Sequence, residues 1–171
     1  VLPWDQVDES ICAKPLEWSG KTLGRFMRFF GPISSVFDII TFAYLFFVLC
    51  PAVCGGTFAS LSGSGEQARF IILFQTGWFL ESMWTQVLIL HLLRTQKVPL
   101  LQSRPSRPVM VVTLLGTAVF TLLTFTPMGE WIGLTALPPV YFVFLAVTVF
   151  FYLLWVTLAK RWYIRHYHEL L

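Results

Sequence analysis

An all-α membrane protein with four transmembrane helices is the fold class this sequence predicts, and three observations carry the prediction. The chain of 171 residues is 56% hydrophobic and only 12% charged, against roughly 25% charged in an average soluble domain. Its mean hydropathy is +0.71, which leaves too little polar surface for a soluble globule. The apolar residues lie in long continuous runs. Transmembrane β-strands would instead show short alternating segments.

Four runs reach, or nearly reach, the roughly 17–25 apolar residues that a helical span needs. They cover about residues 26–49, 70–93, 109–125 and 141–158. Their ends are marked by helix breakers. Ser19 and Gly20 precede the first run, and Pro51 is expected to stop it. Pro99 follows the second run, Pro105 and Pro108 lead into the third, Pro127 closes it, and Pro138-Pro139 opens the fourth. Gly31-Pro32 lies inside the first run and predicts a kink or break after the basic turn carrying Arg25 and Arg28.

The basic residues orient the spans. Lys14, Lys21, Arg25 and Arg28 precede the first, and Arg94, Lys97, Arg104 and Arg107 separate the second from the third. Lys160, Arg161 and Arg165 follow the fourth, so eleven of the twelve basic residues fall on one side. The positive-inside rule places that side, with both termini of this segment, in the cytoplasm. Trp162 and Tyr163 fit an interfacial aromatic belt there, and Trp131 fits one on the outer side. The loop Thr57 to Gln67 is Gly/Ser-rich and reads as a flexible outer connection.

The start VLPWDQVDES lacks the basic and apolar regions of a signal peptide. It also lacks an initiator Met, so the chain reads as part of something longer. Cys12, Cys50 and Cys54 make no complete disulfide framework. Cys50 and Cys54 can bridge only on an oxidising side, and two small apolar residues at a helix end is the favoured reading. His91 reads as an interfacial packing or capping residue, and His166 and His168 as part of a solvated tail. No basic run is dense enough to suggest nucleic acid. No glycine-rich phosphate loop, HExxH or G-x-S-x-G elbow is present.

The candidate functional residues are polar groups inside the spans. By the 3.6-residue period, Gly31, Ser34, Ser35, Asp38 and Thr41 share one arc of the first helix. Small residues at such spacing let helices approach closely. In the second helix Gln75, Trp78, Glu81, Ser82, Thr85 and Gln86 share roughly 140° of surface, opposite an apolar side of Leu80, Met83, Val87 and Leu90. An ionised carboxylate at the bilayer centre costs about 2.5–3.5 kcal/mol on insertion scales. Glu81 is therefore either a cation ligand on an ion path or a hydrogen-bonding link between helices, and for Asp38 the link is favoured.

Three stretches resemble the C-terminal region of bacterial magnesium-translocating P-type ATPases. They are KPLEWSGKTLGRFMRFFGPISSVFDIITF (Lys14 to Phe42), FQTGWFLESMWTQVLILHLLRTQKVPLLQSRPS (Phe74 to Ser106) and ALPPVYF (Ala136 to Phe142). The resemblance extends over nearly the whole chain and is weakest between Pro51 and Arg69. It implies a pump of ten helices at the bacterial inner membrane, of which these four are the seventh to the tenth. Residues 1–22 would be the cytoplasmic loop after the sixth helix, with Asp5, Asp8 and Glu9 near the phosphorylation domain. Residues 23–171 would be the membrane support region with a short cytoplasmic tail.

The resemblance also implies Mg2+ as transported ion and ATP as fuel, both properties of the full-length pump. Its partners would be the bilayer, the remaining helices and the phosphorylation domain of the same pump. The DKTGT phosphorylation sequence is absent here, so no catalytic residue carries over and the chain is not catalytic alone. Related pumps place a carboxylate of the eighth helix in a cation site, and Glu81 is the matching residue type. Two rivals stand beside this reading: a non-catalytic four-helix scaffold or assembly partner, and a small cation channel or exchanger using Asp38 and Glu81.

Overall fold

The computed structural model describes residues 20–93 and 106–167, and all secondary structure among them is helical. Helix α1 runs Gly20–Tyr44, continues as a π-helical turn Leu45–Leu49 and ends as α2, Cys50–Cys54. A 30-residue α3 follows (Ser64–Leu93), then α4 (Arg107–Leu123), the single turn α5 (Pro127–Trp131) and α6 (Pro139–Tyr167).

Two of the four expected spans meet the length and hydropathy that crossing a membrane requires: Gly20–Cys54 and Pro139–Tyr167. Helix α4 is apolar but has 17 residues. Helix α3 is long enough, yet Gln75, Glu81 and Gln86 dilute its apolar run.

The first helix departs from expectation twice. It runs unbroken through Pro32, so Gly31-Pro32 makes no break; membrane helices tolerate an internal proline where local adjustments re-satisfy the backbone. Nor does Pro51 stop it. The backbone first widens into the π turn, in which the Cys50 N–H donates to the Leu45 carbonyl. Proline can then enter as an early residue of a fresh helical segment, where its missing N–H has no bond to make. The stop is Gly55, whose φ of 80° and N–H to the Pro51 carbonyl (3.0 Å) close the segment.

The loop from Thr57 to Gln67, expected to be flexible, carries its own hydrogen bonds. Ser60 and Leu61 N–H groups donate to the Thr57 carbonyl at 2.9 and 3.2 Å, and the Gln67 side-chain amide donates to the Leu61 carbonyl at 2.7 Å. Helix α6 shows the simplest packing logic. Its buried residues are Tyr141, Leu145, Thr148, Tyr152, Val156, Lys160 and Tyr163. They recur at steps of three or four, which makes one continuous inward stripe.

Helices α1, α3 and α6 form a three-helix core. Ring pairs fix α1 antiparallel to α3: Phe46 meets Phe70 at 5.7 Å, and Phe42 meets Phe74 and Trp78 at 5.2 and 5.4 Å. Similar pairs fix α1 antiparallel to α6, since Tyr44 stacks on Phe144 at 3.8 Å and Phe37 meets Tyr152 at 5.3 Å. Helix α4 stands apart and packs chiefly on α3.

Candidate functional site

The core narrows at Gly77. A Cβ there would lie 2.6 Å from Leu45 Cδ2 and 3.3 Å from Tyr141 Cε2. Glycine lets α1 and α6 close on α3 at this level, as small residues do at membrane-helix contacts. The Tyr141 hydroxyl donates to the Gly77 carbonyl across the same contact.

One turn further along lies Glu81. Its side chain is fully buried, and neither carboxylate oxygen has a hydrogen-bond partner. Moving one turn from Leu45 along antiparallel α1 gives Thr41, also fully buried with a partnerless hydroxyl. Moving about two turns along α6 from Tyr141 gives Thr148, buried as well. Thr41 and Glu81 thus put buried polar groups one turn from the Gly77 contact, and Thr148 adds another buried hydroxyl further along α6. Asp38 lies one turn beyond Thr41 and is half-buried.

The other predicted polar residues divide. Ser34 is brought in: its hydroxyl and that of Tyr152 are 3.2 Å apart. Thr85 is buried and donates to the Glu81 carbonyl of its own helix at 3.0 Å. Ser82 is half-buried on the same turn. Ser35 is exposed and bonds the Gly31 carbonyl one turn back at 3.2 Å, so it links no helices. Gln75 and Gln86 are exposed, whereas Leu80, placed on the apolar side, is fully buried. The expected two-sided helix fails because α3 has neighbours on more than one side, with α1 and α6 on one flank and α4 on another. Glu81 and Leu80 both enter packed space.

Cys50 and Cys54 are free thiols. His91 reaches α4, with Nε2 3.0 Å from Thr113 Oγ1. His166 is exposed and stacks on Trp162. Cys12, His168 and the acidic Asp5, Asp8 and Glu9 lie outside the described residues. Among those described, no three His, Cys, Asp or Glu side chains cluster as metal ligands.

Sequence reasoning missed Lys160. It is 3% exposed, and its Nζ donates to the Leu92 carbonyl at 2.8 Å. A lysine there satisfies an end carbonyl of α3 and meets the negative end of its dipole. The signal was available: Lys160 continues the buried stripe of α6 four residues after Val156.

The fold and site together define a class: an α-helical membrane bundle with a closed, partly polar core and no catalytic constellation among the described residues. The comparisons with known proteins name the family. Residues 1–162 match the family model for the cation transporting ATPase C-terminus, and the chain belongs to that family. It is 40% identical over 168 residues, 98% of its length, to "Magnesium-transporting ATPase, P-type 1" of Salmonella typhimurium strain LT2. It is 37% identical over 166 residues, 97% of its length, to the protein of the same name from Escherichia coli strain K12. In both cases it spans 17% of the relative's length.

Proposed function

We propose that this chain is the C-terminal membrane region of a P-type ATPase that imports Mg2+ at the expense of ATP, and that it braces the transport helices. In this reading α1, α3, α4 and α6 are the seventh to tenth spans, and the basic ends lie in the cytoplasm of an inner-membrane protein. The phosphorylation and nucleotide domains, with the remaining helices, belong to the same pump and supply the catalysis.

One observation carries the bracing role. Gln75 and Gln86, three turns apart on one face of α3, are exposed. Glutamine facing lipid is unfavourable, and intramembrane polar groups pair with protein. That face fits a contact with the absent helices, while the interlocked core behind it supplies rigidity. A thiol-reactive photo-crosslinker (a benzophenone maleimide) attached to a single cysteine at 75 or at 86, in an otherwise cysteine-free full-length pump, is expected to insert into an earlier helix on illumination. Absence of any cross-link from both positions, in a pump that remains active, would remove the bracing face.

A second reading has one observation in its favour. The bare oxygens of Glu81 suit a cation ligand on the transport path. Its enclosure by α1 and α6 favours a role inside the support block instead. Glu81→Ala and Glu81→Gln in the full-length pump separate the two through Mg2+-dependent ATPase activity. Loss in both variants marks a cation ligand. Rescue by Gln marks hydrogen bonding within the core, and wild-type behaviour in both takes Glu81 off the cation path.

A further inference from the structure

The basic end of the molecule carries a two-part cleft that the bracing role leaves unused. Lys21, Arg25, Arg28 and Phe29 of α1, with Tyr167 at the end of α6, line a cleft of about 460 Å³. Arg25 is held in place, its guanidinium carbon 4.8 Å from the centre of the Tyr167 ring. Among the described residues no carboxylate lines this cleft. Beside it a second cleft of about 440 Å³ is walled by Phe29, Ile33, Trp155, Leu158, Ala159 and Trp162. Phe29 belongs to both and is itself stacked on Trp162 at 5.3 Å.

A cationic cradle that continues along the bilayer direction into an apolar trough has the polarity of an amphiphile. The geometry points to a binding site for an anionic phospholipid: Lys21, Arg25 and Arg28 receive the phosphate, and one acyl chain lies along Ile33, Trp155 and Leu158. Charge complementarity selects the head, since arginine forks match phosphate oxygens. Basic pockets between helices at a membrane surface recognise such headgroups. The trough selects a lipid over a free anion, because inorganic phosphate leaves it empty. Tryptophan at 155 and 162, each more than half exposed, places apolar rings at interfacial depth.

The inference rests on α1 and α6 spanning the membrane, and the test reports on that separately. Full-length protein absent from the membrane fraction refutes the spanning reading before any lipid is measured. For protein that does fractionate with membranes, native mass spectrometry would follow phosphatidylglycerol retained during titration in detergent. Each basic residue removed is expected to cost about five-fold in affinity, so the Arg25→Ala/Arg28→Ala pair should lose about 25-fold. Trp155→Ala, which strips the trough without touching charge, should weaken phosphatidylglycerol and leave inorganic phosphate unaffected. Phosphatidylcholine should bind less tightly than phosphatidylglycerol to the unaltered protein. Unchanged retention in both variants overturns the site. Loss only in the arginine pair, with inorganic phosphate competing at equal concentration, shows an anion site and overturns the lipid assignment.

Discussion

Helices α4 and α6 are both apolar and rich in hydroxyl groups, yet they use those groups in opposite ways. In α4, Thr113, Thr117 and Thr121 donate back to the carbonyls of Val109, Thr113 and Thr117 at 2.8, 2.7 and 2.7 Å. The ladder satisfies each hydroxyl within its own helix. Among the described residues, Trp84 and His91 of α3 hydrogen-bond across to it, at Thr121 (3.2 Å) and Thr113. A cleft of about 770 Å³ opens between the two helices. In α6, Tyr141, Tyr152 and Lys160 reach Gly77, Ser34 and Leu92 on other helices. Where water is excluded, a polar group left without a partner is costly. A partner one turn back costs no helix contact and makes none, whereas a partner across the gap fixes register.

That contrast predicts an ordered series of losses, each measured as thermal stability of the full-length protein in one detergent. Gly77→Val should be the most damaging, because new carbons would meet Leu45 and Tyr141 at the tightest point of the core. Overpacking of this kind costs about 1–3 kcal/mol or more. A stable, fully assembled Gly77→Val protein would show that the close approach is dispensable. Lys160→Met keeps the stem but removes a charged donor, and hydrogen bonds to charged groups are worth about 1.5–3 kcal/mol. Arg161→Met, next door and exposed, should change stability by less than about 0.5 kcal/mol. Equal effects at 160 and 161 would mean that the lysine cap on α3 contributes nothing.

Tyr141→Phe leaves the ring in place and removes one interhelical hydrogen bond, for an expected loss of about 1 kcal/mol. Thr121→Val in α4 should cost less than Tyr141→Phe, about 0.6 kcal/mol from its contact with Trp84. Should Thr121→Val prove as costly as Tyr141→Phe, the distinction between a self-satisfied helix and a cross-linked one fails.

Much of this architecture is legible in the chain. The apolar runs announce four helices at nearly their observed places, because hydropathy is a property of composition over a window. The buried stripe of α6 can be traced by eye from Tyr141 to Tyr163. The resemblance carried by Lys14 to Phe42 and Phe74 to Ser106 agrees with the family match. Local rules failed at the prolines. Pro51 reads as a stop and Gly31-Pro32 as a kink or a break, but a helix can continue through a proline when its neighbours or a π turn take up the freed backbone groups.

What the sequence determined by itself is that long helices form, that they are apolar, and that a few polar residues stand out within them. Which of those residues meet was decided only by tertiary structure. Glu81 and Gln86 stand at the two edges of one polar arc of α3, about 140° apart by the helical period, and the helix alone does not say which edge is buried. One is sealed inside the core while the other faces outward, because α1 and α6 close on α3 at the level of Gly77. Helical periodicity fixes the direction of a side chain about its own axis. The partner in that direction is set by the packing of other helices, which no single-helix pattern encodes.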